Sequence, residues 1–127
     1  MIVGLGMDLV DIPRIERLLA DQGDRAVRRL FTDAEAAYAM ARAQPARHFA
    51  ARFAAKEAAF KALAGTTEAR LVGWLDIEVA PEWDGRPMLV LHGRAAERAA
   101  ELGVTRSHLT LTHSDDVAGA VVVLESA

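Results

Sequence analysis

Phe53-Ala54-Ala55-Lys56-Glu57-Ala58-Ala59-Phe60-Lys61-Ala62 sets three charges into a run that otherwise has the composition of a buried helix. At about 100° per residue, Phe49, Phe53 and Phe60 fall within about 40° of one another, with Lys56 beside them. Glu57 and Lys61 stand four apart on the neighbouring flank. An ammonium and a carboxylate at the edge of an apolar stripe are costly unless they are paired, hydrogen-bonded or bound to a ligand or metal. The helix, expected from about Ala46 to Ala64, is therefore read as the wall of a site.

Working outward from it, Ile2 to Val10 alternates as a strand, with Val3, Leu5, Met7 and Leu9 on one face and Gly4, Gly6 and Asp8 on the other. Asp11 is placed to cap a helix that accepts Pro13 in its first turn and ends near Gly23. Thr32-Asp33-Ala34-Glu35 has the form of a capping box and opens a second helix near Ala34 that fades before Pro45. On the other side, Gly65-Thr66-Thr67 stops the long helix, and Trp74 to Val79 alternates like a strand. Asp84-Gly85 signals a turn, Pro87 to Leu91 the returning strand, and Gly93 to Leu102 an alanine-rich helix. Leu109 to Thr112 and Ala118 to Leu124 form a last pair of strands around Ser114-Asp115-Asp116. This order predicts an α+β fold, a mainly antiparallel sheet packed against a long helix, with residues 1–127 as one domain.

The chain has 127 residues, enough for one real core, and a formal charge of -3 from 15 Lys and Arg against 18 Asp and Glu. No global positive field recruits nucleic acid or an anionic membrane, and no apolar run is long enough to span a bilayer. Without cysteine there is neither disulfide, thiolate metal site nor cysteine nucleophile. No signal peptide is apparent, so a cytoplasmic protein is expected.

Asp8 reads either as a strand-end cap for the following helix or as a ligand on a face left open by the glycines. Glu57 reads as a solvated, ion-paired helix residue or, with Asp8, as one of two carboxylates suited to Mg²⁺, which completes its shell with waters and phosphate oxygens. Arg52, Lys56 and Lys61 are either helix-surface partners of acids or one end of a phosphate site. Gly65-Thr66 reads first as a helix C-cap. His113, in phase with Leu109 and Leu111, has a core imidazole as its default, although it stands just before a polar turn. Five arginines, Arg14, Arg17, Arg25, Arg28 and Arg29, outnumber three acids over residues 14–29, as a solvated face or as a surface for an acidic partner.

Together, Val3-Gly4-Leu5-Gly6-Met7-Asp8-Leu9-Val10-Asp11, Arg14, and Arg52-Phe53-Ala54-Ala55-Lys56-Glu57-Ala58 with Lys61 resemble the holo-[acyl-carrier-protein] synthase family, the small bacterial 4'-phosphopantetheinyl transferases. Asp76 to Val79, Gly85-Arg86-Pro87 and Leu109 to Ser114 extend the resemblance over essentially the whole chain. It implies the 4'-phosphopantetheinyl transferase fold and transfer of phosphopantetheine from coenzyme A to a serine of apo acyl carrier protein, in support of fatty acid biosynthesis. It also implies a homotrimer with clefts between subunits. By resemblance, Asp8 and Glu57 match the magnesium ligands, and Arg52, Lys56, Lys61, Gly65, Thr66 and His113 match the coenzyme A cleft. Catalysis falls to Glu57, Lys61 and Asp8. Arg14 and the basic helix that follows, with Arg17, Arg25 and Arg28, match the docking surface for the carrier protein. Where the family reads Gly-Thr-Gly this chain has Gly65-Thr66-Thr67. Two other functions use the same charges: a magnesium-dependent nucleotide diphosphate hydrolase, and a coenzyme A binding module without catalysis.

Overall fold

In the computed structural model, which describes residues 1–63 and 71–127, everything is arranged around one helix. Strand β1 (Ile2–Asp11) runs directly into helix α1 (Ile12–Gln22), followed by α2 (Asp24–Leu30), α3 (Asp33–Met40) and the central α4 (Pro45–Leu63). A 3-10 turn at Trp74–Asp76 leads to the hairpin β2 (Ile77–Pro81) and β3 (Pro87–Leu91), then α5 (Gly93–Glu101) and the long hairpin β4 (Val104–His113) and β5 (Val117–Ser126). The strands form two antiparallel sheets, one of order β1-β5-β4 and one of β2 with β3. The sequence expectation of an α+β fold with antiparallel pairing about a long helix is met.

Helix α4 is buried on nearly all sides, from Phe49 to Leu63, rather than on a single stripe. One of its phenylalanines, Phe49, meets Phe31 at the end of α2 with ring centroids 4.8 Å apart. Its alanines face the large sheet. There Gly4 and Gly6 of β1 lie so close that a Cβ on either would overlap the carbonyl oxygen of Ala62 or Ala58. The glycine face of β1 is thus the one pressed on the helix, contrary to the open ligand face read from the sequence. It pairs across β5 in the register Gly4 with Leu124, Gly6 with Val122, Asp8 with Ala120 and Val10 with Ala118. The aliphatic face points out: Leu5, Met7 and Leu9 are 67%, 60% and 65% exposed.

The other elements depart from expectation at particular points. Thr32 does form a reciprocal capping box with Glu35, and α3 starts beside it. Asp11 occupies the N-cap of α1 without a side-chain hydrogen bond. Helix α2, not expected as a separate element, resumes after Gly23, whose φ of 52° lies in the left-handed region that favours glycine. Trp74–Asp76, expected to begin a strand, is wound into a turn instead.

Candidate active site

Strand alternation puts Asp8 on the inner face of β1, where α4 crosses it, and helical phase brings Lys61 to the same place. Lys61 Nζ donates to Asp8 Oδ1 at 2.9 Å and to the Met7 carbonyl at 3.0 Å, with about half of the lysine side chain still exposed. Asp8 therefore does not cap α1. Glu57, one turn before Lys61, joins them. Burial and then the nearby Asp8 carboxylate raise its pKa above the ordinary glutamate value, while Lys61 and Arg14 pull the other way. Two carboxylates that repel each other beside an ammonium and a guanidinium make a place where a divalent cation relieves strain that the protein alone does not. The donor set fits Mg²⁺, which takes one or two protein carboxylates and leaves the rest of its shell to water and phosphate. No group of three or more His, Asp or Glu able to hold a metal is present among the described residues.

Lys56, expected in the coenzyme A cleft, goes elsewhere. Its side chain has no exposed surface, and its ammonium meets Glu35 Oε1 at 2.8 Å and donates to the carbonyl oxygens of Trp74, at 2.9 Å, and Ile77. An ammonium has three protons, and three acceptors take them. The charge predicted for a phosphate is spent inside the core, and the reason lies in Glu35, a buried acid whose position opposite α4 no local pattern announces.

Arg52 and His113 form a second cluster, away from the first. A groove with a cavity volume of about 470 Å³ runs between α4, the β2–β3 turn and β4, and Arg47, His48, Arg52, Arg86, His108 and His113 all line it. The Arg52 guanidinium lies 4.0 Å from the centroid of the Tyr38 ring, and Arg42 sits at 3.6 Å. Arg52 is 5% exposed and its Nε has no hydrogen-bond partner among the described residues. Burial, followed by Arg52, Arg42 and Arg47, holds His48 below the ordinary histidine value, which favours the neutral imidazole. His113 is exposed at the strand end rather than in the core. A positive groove on a net acidic chain suits a phosphate-bearing ligand.

Sequence reasoning missed Tyr38, Arg47 and His48 here. His48 near the start of α4 was the available signal, since the residue four before Arg52 lies on its side of the helix; for Arg47, five before, helical phase offered none. Arg14, Arg17, Arg25 and Arg28 are all exposed, on α1 and α2. Of these, the charge of Arg14 reaches Glu57. Gly65, Thr66 and Thr67 lie outside the described residues. Another cavity, of about 310 Å³, opens beside Glu57 and is walled mainly by Phe60, Val72, Trp74 and Ile77.

The model of the 4'-phosphopantetheinyl transferase superfamily matches residues 4–122. The holo-[acyl-carrier-protein] synthase of Anaeromyxobacter dehalogenans strain 2CP-1 is 55% identical over 128 residues, spanning 98% of this chain and 97% of the relative. That of Koribacter versatilis is 47% identical over 125 residues, spanning 98% and 99%. A crystal structure of the holo-[acyl-carrier-protein] synthase from Neisseria meningitidis matches with a TM-score of 0.86 at 29% identity, covering 99% of this chain and 100% of that one. One from Bacillus anthracis, in complex with CoA (3',5'-ADP), matches with a TM-score of 0.79 at 36% identity, covering 100% and 99%. With the carboxylate pair on β1 and α4 and the arginine groove by β4, these matches show that the chain belongs to the holo-[acyl-carrier-protein] synthase family of the 4'-phosphopantetheinyl transferase superfamily.

Proposed function

We propose that this enzyme transfers 4'-phosphopantetheine from coenzyme A to a serine hydroxyl of an apo acyl carrier protein, with Mg²⁺, releasing adenosine 3',5'-bisphosphate. The cluster of Asp8, Glu57 and Lys61 at the crossing of β1 and α4 carries this reading. Asp8 and Glu57 are the residues that would hold Mg²⁺, and the ion, when bound, offsets the charge of the diphosphate that repels an incoming oxygen. Lys61 keeps one proton uncommitted by its described contacts, and directs it to the phosphate oxygen on which charge builds as the diphosphate bond breaks. Glu57, or a water that it orients, accepts the serine proton. The new bond joins the serine oxygen to the phosphorus that bears pantetheine, and the adenosine bisphosphate leaves with the oxygen of the broken bond.

The groove of Arg52 and His113 serves the nucleotide end of coenzyme A. The exposed arginines Arg14, Arg17, Arg25 and Arg28 receive an acidic face of the carrier protein. The active assembly is a homotrimer in the cytoplasm, supplying holo carrier protein to fatty acid synthesis. Two observations support the oligomer: the aliphatic face of β1 lies open, and the two charged clusters sit at opposite edges of the large sheet, β1 and β4, with β5 between them. No helix among the described residues is long and apolar enough to cross a membrane.

Mass spectrometry of apo carrier protein incubated with the enzyme, coenzyme A and Mg²⁺ tests the proposal. A phosphopantetheine mass gain on the carrier serine is expected. Cleavage of coenzyme A with the carrier unmodified points to a hydrolase, and bound but intact coenzyme A to a binding module.

A further inference from the structure

The buried pair of Lys56 and Glu35 lies one residue before Glu57, and the proposed reaction makes no use of it. Its reach is wide. Glu35 Oε1 accepts from the Thr32 amide at 2.8 Å, and Oε2 accepts from the Val79 amide at 2.9 Å, so one carboxylate ties α3 to β2. Lys56 ties the same carboxylate to α4 and takes the carbonyls of Trp74 and Ile77, which bracket the 3-10 turn. Thr32 extends the network through its hydroxyl to Glu78 Oε2 at 2.7 Å, and Glu78 Oε1 meets His92 Nε2 at 3.0 Å. The turn held in this way stacks Trp74 on Phe53, with ring centroids 5.1 Å apart, and forms a wall of the cavity beside Glu57.

Stability alone gives a weak reason for such a pair, because two buried charges seldom outperform apolar side chains of the same volume. What the pair does supply is geometry. A lysine with all three protons engaged fixes the phase of the helix at residue 56, and residue 57 then points about 100° further round, toward the cavity. Relying on the transferase reading above, we infer that Lys56 and Glu35 are positioning residues: their ion pair latches the Trp74–Asp76 turn onto α4 and so sets the wall beside the Glu57 carboxylate, without touching coenzyme A.

The test is the double variant Lys56→Met with Glu35→Gln, which removes both charges together and leaves no buried charge unpaired. It is measured for phosphopantetheine transfer, for coenzyme A affinity by calorimetry and, in a Trp83→Phe background, for emission of the remaining Trp74. We expect kcat to fall roughly 10- to 100-fold while the coenzyme A Kd stays within about twofold, the signature of lost positioning rather than lost binding. Trp74 emission should shift to the red as the turn loosens. Wild-type kcat in the folded double variant would reduce the pair to a structural contact. A loss of coenzyme A affinity beyond about tenfold with kcat retained would make Lys56 a phosphate ligand, and either result overturns the inference. If the double variant does not fold, Trp74→Ala decides: an unchanged kcat overturns the inference, and a kcat loss at constant coenzyme A affinity upholds it. Wild-type enzyme that transfers no phosphopantetheine fails the underlying reading instead, before any variant is compared.

Discussion

The Glu57 carboxylate carries an electrostatic cost in the fold. Burial strips water from its carboxylate and Asp8 repels it, so its folded pKa is raised, with Lys61 and Arg14 opposing only in part. A carboxyl whose folded pKa is raised contributes stability below its unfolded pKa, and that contribution is lost as pH rises through the folded value. At pH 7.5, without metal, ionised Glu57 is therefore a burden that an amide removes. Glu57→Gln is expected to melt at the same temperature as wild type or higher in chelator at pH 7.5, and the gap should close as pH falls through the carboxylate range. Its transferase turnover should fall at least about 100-fold. Melting curves across pH and a coenzyme A transfer assay check the two halves; a variant less stable at pH 7.5 than wild type would contradict the electrostatic account. Asp8, Glu57 and Lys61 were legible in the sequence because strand alternation and helical phase are local rules, and each suffices to aim its own side chain. Lys56 obeyed the same helical rule, yet its partners, Glu35, Trp74 and Ile77, lie 18 or more residues away in the chain. Periodicity says which way a side chain points, not what waits there.

Between elements, the packing of β1 on α4 turns on the glycines. With Gly4 and Gly6 facing Ala62 and Ala58, strand and helix approach more closely than any side chain between them would allow, and this brings Asp8 alongside Glu57 and Lys61. Gly6→Ala places a methyl group onto a helix carbonyl, which cannot yield without moving the helix. The expected loss is upwards of about 3 kcal/mol in urea unfolding. Gly119→Ala offers a control on the opposite face: its Cβ would come 2.9 Å from Leu9 Cδ2, the end of a flexible side chain, and should cost only about 1 kcal/mol. Equal losses at the two sites would mean that β1 does not lean on α4 as described. The fold itself was readable where signals were local and strong, as in the capping box of Thr32 and Glu35 or the Asp84-Gly85 turn. Helix α2 escaped because seven residues with three arginines carry too short an apolar pattern to stand out. Trp74-Leu75-Asp76 has a strand's alternation, but Lys56 draws its flanking carbonyls inward and winds it into a turn. Strands β4 and β5 proved longer than their hydrophobic patterns because Thr105-Arg106-Ser107-His108 lies at a sheet edge, where polar residues are tolerated.

Across the molecule as a whole, the large sheet leaves an apolar face exposed. Leu5, Met7 and Leu9 form an aliphatic row on the outer face of the large sheet, flanked in register by Val123, Val121 and Gly119 of β5. An exposed apolar row of this kind fits the subunit contact of the proposed homotrimer. Both outer strands of that sheet, β1 and β4, have an edge with no strand partner among the described residues, and each edge carries one charged cluster: Asp8 beside Glu57 and Lys61 at one, His113 beside Arg52 at the other. In the homotrimer proposed above, a ring that joins the β1 edge of each chain to the β4 edge of its neighbour would draw each complete site from two chains. That arrangement has a consequence which a self-contained monomer lacks. Glu57→Gln disables one half of every site and Arg52→Ala the other, so each variant alone should be nearly inactive. When the two are unfolded together, mixed in equal amounts and refolded, random assembly joins an intact Glu57 half to an intact Arg52 half in about a quarter of the clefts. Transfer activity should recover to about that fraction of wild type, with sedimentation confirming trimers throughout. Mixtures that stay as inactive as their components, while still sedimenting as trimers, would place both halves of each site on a single chain.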